Sequence, residues 1–150
     1  MCIRDRSNTL GRNVVFSEYH DSAMCTGSFM LRKDNYKYIA YPGYEPMLFD
    51  LDNDRWELHN LASELPDKVK ELDDELRKIV DYESVDKYVK DYDRDSFRVW
   101  RSEHQRFGTY TEDIAKIYSG YDLIEEVGLT PWTDEDEKAL LEWLEESSNF

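Results

Sequence analysis

The sequence predicts an α+β fold: a four-stranded antiparallel sheet packed by one long helix, with a helical acidic C-terminal tail. Two observations predict it. Four short segments of strand composition follow one another between residues 14 and 51, joined by short links, which is typical of an antiparallel meander. Apolar residues then recur at helical spacing from about residue 63. A sheet covered by one amphipathic helix buries both apolar surfaces.

The four predicted strands are short and are rich in β-branched and aromatic residues. They cover residues 14–19, 28–31, 36–41 and 47–51. Asp34 and Asn35 separate the second from the third and tolerate tight turns, which predicts a hairpin there. In the third strand, Tyr36 and Tyr38 fall on one face because side chains alternate along a strand.

The long helix is predicted from about Ser63 to Asp81, with Ser63 as its N-cap. Its apolar residues step by four and three positions, which gives one continuous stripe. The stripe consists of Leu65, Val69, Leu72, Leu76 and Ile79. We therefore expect the helix to lie on one face of the sheet.

The remainder predicts three further helices. One runs from Ser84, its expected cap, to about Phe107, and a short one covers about 112–118. The last follows Thr133, an N-cap whose next residues are acidic and suit the positive end of a helix. The apolar face expected for the first of them includes Val85, Tyr88, Val89 and Tyr92. We accordingly divide the chain into a sheet-plus-helix subdomain, 13–81, and a helical acidic tail, 82–150.

Several large apolar residues of the tail have no obvious cover within it. They are Trp100, Phe107, Trp132, Trp143 and Leu144. Such a set on amphipathic helices normally meets a partner surface. We expect either another part of the parent protein or a second copy, as a homo-oligomer, to cover it.

Composition restricts the classes of partner. The 150 residues carry a net charge of −15, which disfavours nucleic acid because its phosphates would be repelled. No stretch approaches the roughly 20 apolar residues of a membrane-spanning helix, so we expect no membrane partner. The two cysteines, Cys2 and Cys25, do not make a disulfide framework.

Residues 1–12 differ from the rest. The first seven lack the apolar core of a signal peptide and are unlike the beginning of a fold. We expect a leader that is not native, and localisation is unknown because it cannot be read from such a start.

The most informative stretch is 46–62. It combines a short strand, an Asp/Asn turn and a helix start. It resembles the signature L-[FY]-D-L-x-x-D-P-x-E-x-x-N-L-A near the C-terminal end of type I sulfatases of the alkaline phosphatase superfamily. The positions in register are Leu48, Phe49, Asp50, Leu51, Asp54, Glu57, Asn60, Leu61 and Ala62. One position departs, since Arg55 stands where the family usually has Pro.

The resemblance extends upstream to choline-sulfatase-like and arylsulfatase members through 14–20, 27–32 and 36–39, so it covers residues from about 13 to about 90. It implies a C-terminal fragment of a sulfuric ester hydrolase. Such a fragment would support the missing N-terminal catalytic domain and form one rim of its substrate pocket, but would not be active alone. The parent's substrate would be a sulfate ester.

The resemblance also implies a calcium-like divalent cation and a formylglycine in the parent. The formylglycine is made from the Cys or Ser of Cys-x-Pro-x-Arg, and neither Cys2 nor Cys25 stands in that motif. We therefore predict no catalytic residue, metal ligand or cofactor in this chain. Cys25 is expected to be a small packed residue, since free Cys behaves as a small hydrophobe.

Acidic pairs and histidines show no convergent spacing. Asp73 and Asp74, and the run 134–137, are adjacent on helices and point to different faces, so we expect a solvated surface. His59 and His104 have no ligand spacing and are expected to be structural. The tyrosines of 41–44, with Tyr36, Tyr38 and Tyr19, either pack in the sheet or line a ligand groove.

His20 is the one candidate substrate-binding residue. It ends a strand and opens a Gly-bearing loop, a position where scaffolds present functional groups. The resemblance places the matching His of the family's Glu-Tyr-His near the mouth of the cleft. The alternative is a plain strand-end His bonded to backbone. If Tyr19 packs into the core, His20 faces outward toward the catalytic domain.

Two other functions compete with the sulfatase fragment. One is a non-catalytic protein-interaction module with an acidic helical tail. The other is a fragment of a related phosphonate or phosphate ester hydrolase, which these residues do not distinguish because the nucleophile and metal ligands lie elsewhere.

Overall fold

The sheet has the predicted meander topology. The structure, a computed structural model, describes residues 13–21, 24–119 and 132–145, so the predicted leader lies outside the described residues. The strands are β1 (Val14–Tyr19), β2 (Ser28–Lys33), β3 (Tyr36–Ala40) and β4 (Met47–Asp50). They pair antiparallel in the order β1-β2-β3-β4, which confirms the predicted α+β class. Asp34, at φ 55°, and Asn35 form the tight turn between β2 and β3.

One face of the sheet carries the hydrophobic core. The register places Phe16 opposite Leu31, Leu31 opposite Tyr38, and Tyr38 opposite Leu48, so these four share a face. Helix α1 (Pro66–Arg77) lies against β2 and β3. The buried core cluster is Phe29, Leu31, Tyr38, Ala40, Leu48, Leu72, Leu76 and Tyr82. The predicted stripe is thus confirmed at its centre by Leu72 and Leu76, and Val69 and Ile79 pack against the cluster.

The helix begins and ends inside the predicted bounds of 63–81. Its N-cap is Leu65, which has no side chain that could cap it, and Pro66 occupies the first turn. Residues before a proline disfavour the helical conformation, whereas proline suits the first helical position. Ser63 is therefore not the N-cap, and Leu65 is 37% exposed instead of lying on the buried stripe.

Helix α2 (Tyr82–Phe107) begins two residues earlier than predicted. Asp81 caps it: its carboxylate accepts hydrogen bonds from the Ser84 backbone N–H at 3.2 Å and the Ser84 hydroxyl at 2.7 Å. The predicted face was wrong at Tyr88 and Tyr92, which are 70% and 61% exposed, whereas Val85 packs against the core cluster as expected. The buried positions of its first two turns are Tyr82 and Asp86, one helical turn apart.

Two further described helices follow, α3 (Tyr110–Ser119) and α4 (Asp134–Glu145). Thr133 caps α4 as predicted, since its hydroxyl accepts the Asp136 N–H at 3.2 Å while Asp136 accepts the Thr133 N–H at 3.0 Å. None of the helices in the described ranges has the length and apolarity needed to cross a membrane.

The chain forms two compact units, 1–89 and 90–150, and the division lies within α2. The subdomain boundary predicted after residue 81 stays a prediction. In the second unit, Leu144 is buried, and Trp100 stacks on His104 with 4.1 Å between ring centroids. Trp132 donates to Glu137 at 3.0 Å. The expectation that the tail leaves its apolar residues uncovered was therefore wrong for Leu144; Trp100 and Trp132 are half-buried, whereas Phe107 and Trp143 are 71% and 36% exposed.

Candidate functional site

The signature stretch folds into a loop, residues 50–62, that its own polar side chains hold together. Asp50 accepts hydrogen bonds from the Asn53 side chain at 2.8 Å, the Asn35 side chain at 2.9 Å and the Asp52 N–H at 3.1 Å. The bonds from Asn53 and Asn35 lower the pKa of Asp50, because they favour the ionised carboxylate. Asp50 thus joins this loop to the β2–β3 turn.

Asp54 and Asn60 close the rest of the loop. The backbone N–H of His59 donates to Asp54 at 2.8 Å, and this bond is the main reason that the pKa of Asp54 is lowered. The Asn60 side-chain oxygen accepts the N–H groups of Leu48 at 2.9 Å and Ala62 at 3.0 Å. Asn60 therefore bonds the end of the loop to β4.

Glu57 completes the set and has an unusual backbone. It adopts a φ of 56°, in the left-handed region that a residue with a Cβ rarely occupies. Its carboxylate bonds Lys37 Nζ at 2.6 Å, which holds the loop against β3. The residues on either side, Trp56 and Leu58, are 77% and 84% exposed. The signature positions build the loop, and the positions between them face solvent.

His20 follows β1 and lies beside the core. Its ring makes an edge-to-face contact with Phe29, with 5.2 Å between centroids, and a Cβ on Gly27 would come within 2.5 Å of the ring. Its Nε2 is shielded and has no hydrogen-bond partner among residues 13–21, 24–119 and 132–145. The expected orientation is wrong: Tyr19 is 47% exposed, so His20, not Tyr19, takes the core-facing register.

The loop that His20 opens is anchored by Asp86, which the sequence analysis missed. Asp86 is 2% exposed and accepts the Gly27 N–H at 2.6 Å. The Thr26 hydroxyl lies 3.2 Å from the same carboxylate oxygen and 3.0 Å from the Pro42 carbonyl oxygen. The available signal was spacing, because Asp86 lies one turn after the buried Tyr82. The carboxylate fixes Gly27 beneath the imidazole.

Asp73 is part of a polar network, which corrects the expectation of a solvated surface. It accepts hydrogen bonds from Arg77 Nε at 2.7 Å and from the phenols of Tyr82 at 2.7 Å and Tyr38 at 3.0 Å. Burial by itself raises the pKa of Asp73, but these three bonds outweigh it and lower the pKa overall. Burial, with the adjacent Asp73 charge, raises the pKa of both tyrosines. Asp74, by contrast, is exposed.

A groove of about 320 Å³ opens beside this network. It is lined by Tyr38, Ala40, Tyr41, Tyr44, Pro46, Pro66, Val69, Lys70, Asp73 and Tyr82. The tyrosines of the 41–44 link thus line a groove, while Tyr36 packs against the core and Tyr19 lies elsewhere.

The remaining candidates do not converge. His59 bonds Glu64 at 2.7 Å and its side chain is 67% exposed, whereas His104 lies 3.7 Å from Asp113. In the run 134–137, Glu137 binds Arg101 and Tyr110, so only part of that run is solvated.

Neither a cation nor a formylglycine fits the described residues. No group of three His, Cys, Asp or Glu side chains among them could hold a metal ion. Cys25 is exposed, so the prediction of a small packed residue was wrong. The nucleophile motif requires Pro two positions after the Cys, and Gly27 stands there.

Comparison with known proteins identifies the family. The chain is 43% identical to arylsulfatase K of Danio rerio over 107 residues, which are 69% of this chain and 20% of that protein. It is 32% identical to arylsulfatase K of Bos taurus over 139 residues, 90% of this chain and 24% of that protein. The Homo sapiens protein is 35% identical over 107 residues, 69% of this chain and 19% of that protein. No family model matches the chain.

The chain spans about a fifth of the length of the curated relatives it matches. The match to the Bos taurus protein covers 139 residues, which is more than the residues from about 13 to about 90 covered by the sequence motifs. The similarity therefore includes part of the helical tail. The signature loop and the sequence similarity agree, and the chain belongs to the sulfatase family as a C-terminal region.

Proposed function

We propose that this chain is the C-terminal subdomain of a sulfuric ester hydrolase and that it supports a catalytic domain encoded upstream. The observation that carries the proposal is the similarity to arylsulfatase K, confined to 16–24% of those proteins. The signature loop supports it, because the polar signature side chains Asp50, Asp54, Glu57 and Asn60 all serve to fix the loop. Such a part stabilises a site instead of carrying its reactive groups.

The parent would use a divalent cation and a formylglycine to hydrolyse a sulfate ester. A cation of this kind neutralises developing charge on the sulfate oxygens. The described residues supply neither group, so the parent's upstream part would have to supply both. The chain alone should therefore show no turnover of an aryl sulfate, whereas the full-length parent should. Turnover by the purified 150-residue chain, clearly above a buffer blank, would overturn this assignment.

Within the same proposal, His20 contributes to one rim of the substrate pocket. Its support is an Nε2 without a described partner at the point where β1 ends; because this nitrogen is shielded beside Phe29, it would reach a polar atom of a substrate only if the ring turns in the parent. In the parent, His20→Phe keeps an aromatic ring against Phe29 and removes the nitrogens. We expect a ten- to hundredfold loss in kcat/KM, corresponding to roughly 1.5–3 kcal/mol, with an unchanged Tm. Unchanged kinetics would assign His20 to packing alone.

The upstream sequence of the parent distinguishes a hydrolase fragment from the first alternative, a non-catalytic interaction module. If the parent reading frame continues upstream into Cys-x-Pro-x-Arg, an interaction module is excluded. A related phosphonate or phosphate ester hydrolase is then distinguished by assaying the parent with a phosphate or phosphonate monoester beside the aryl sulfate.

A further inference from the structure

We infer that the face of the sheet opposite α1, together with Trp56 and Leu58 of the signature loop, is the surface on which the upstream part of the parent chain packs. This inference rests on the proposed function and adds the location of the interface. We call this surface the open face. It consists of Val15, Ser17, Tyr19, Ser28, Met30, Arg32, Lys37, Ile39, Met47 and Phe49, with Trp56 and Leu58 beside them.

The register defines the open face. Ser17 pairs with Met30, Met30 with Ile39 and Ile39 with Met47, so these four side chains form one row across all strands. None of the four belongs to the core cluster or packs against it. An antiparallel sheet with one solvated face normally alternates apolar and polar residues. Here the second face is largely apolar as well.

Charge strengthens the assignment. The chain contains 34 acidic residues, yet none of the ten strand positions of the open face is Asp or Glu. The two charged residues there are Arg32 and Lys37, and Lys37 is neutralised by Glu57. The centres of protein interfaces are depleted of charge in this way, whereas a solvated face of so acidic a chain would carry carboxylates.

The loop contributes preformed apolar side chains at the edge of this face. The Lys37–Glu57 ion pair places Glu57 on the open side of β3, and Trp56 and Leu58 flank it. Because Asp50, Asp54 and Asn60 fix the loop, ordering Trp56 and Leu58 at an interface would cost side-chain entropy but little backbone entropy. A rigid, exposed tryptophan is a typical interface anchor.

The occupant follows from how much of the protein lies elsewhere. The chain spans about a fifth of its relatives, and it corresponds to their C-terminal region, so the bulk of the polypeptide is upstream. A covalently attached domain has a high effective concentration and outcompetes a second copy for the same surface.

Hydroxyl-radical footprinting of the full-length parent and of the 150-residue chain tests the inference. We expect oxidation of Trp56, Met47 and Tyr19 to be about tenfold slower in the parent, because side chains at an interface core lose contact with water. Tyr88, 70% exposed on α2, is the matched control and should react equally in both.

Three outcomes would overturn the inference. Equal oxidation of Trp56 and Met47 in the two proteins would leave the open face solvated in the parent. Protection of Tyr88 without protection of Trp56 would place the interface on α2. Protection in the isolated chain that grows with its concentration would assign the face to a second copy.

Aryl sulfate turnover, measured on the same parent sample, tests the proposed function separately from the location of the interface. Turnover without protection contradicts the interface and leaves the proposed function standing. Protection without turnover of any sulfate, phosphate or phosphonate ester supports the interface and contradicts the proposed function.

Discussion

The two faces of the sheet are both apolar, but they differ in what covers them. On the face toward α1, Leu31 and Leu48 are 0% exposed. On the open face, Val15 and Tyr19 are 49% and 47% exposed. Burial from water is what stabilises a fold, so the first face stabilises this chain by itself. The second, apart from the buried Phe49, leaves apolar surface in water, and that surface stabilises the protein only when another part covers it.

The largest difference in the free energy of unfolding should appear between truncation of a buried leucine at the covered face and truncation of an exposed leucine beside the open face. Leu72→Ala removes a side chain that is 1% exposed and should lower the free energy of unfolding by about 2–5 kcal/mol, the cost of a core cavity. Leu58→Ala is the matched control. The Leu58 side chain is 84% exposed, so its truncation should change the free energy of unfolding by less than about 0.5 kcal/mol. Urea denaturation measures both; similar losses would mean that the covered and open faces were misassigned.

A smaller loss is expected where His20 meets Gly27 at the covered face. Gly27→Ala places a Cβ about 2.5 Å from the imidazole, so the ring must move, at a cost of about 1–3 kcal/mol. If the clash is the cause, the loss should largely disappear when His20 is also Ala, giving a strongly non-additive double-mutant cycle. Additive effects would indicate that the added methyl group acts through the Phe29 ring, 3.1 Å away, and not through the imidazole.

The smallest effect concerns the network beside the covered face. The pKa of Asp73 in the folded chain is below its ordinary value, so its bonds to Arg77, Tyr82 and Tyr38 stabilise the fold above the unfolded pKa, which is about 3.9. This stabilisation is lost as the pH falls from about 4 through the folded pKa. Asp73→Asn should flatten stability against pH in that acid range. An unchanged acid slope would show that other carboxylates cause it.

Much of the fold was predictable because it depends on local periodicity. The strand order, the hairpin at Asp34 and the central stripe of α1 follow from spacing in the sequence. The start of α1 was missed because the constraint that Pro66 places on Leu65 outweighs the capping preference of Ser63. The predicted face of α2 failed at Tyr88 and Tyr92 because one of the buried positions of this helix is a carboxylate, Asp86, whose partners lie 59 and 60 residues away.

The site was less predictable because it depends on three-dimensional neighbours. The signature residues could be aligned, but not their bonds: Asn60 reaches back to Leu48, and Glu57 to Lys37, across different elements. The orientation of His20 was missed because the strand-face assignment assumed that Tyr19, the larger aromatic, would be inside. With apolar residues on both faces, alternation alone does not tell the covered face from the open one.

The most direct test of the account compares one substitution in two contexts. Trp56→Ser changes a side chain that is 77% exposed in the isolated chain, so the chain's free energy of unfolding should stay within about 0.5 kcal/mol. In the full-length parent the same substitution should lower Tm by about 2 °C, consistent with a loss of roughly 2 kcal/mol at an interface anchor in a protein of that size. The control, Tyr88→Ser, should leave the parent's Tm unchanged. An equal, negligible effect of Trp56→Ser in both proteins would contradict the claim that this surface supports a larger domain.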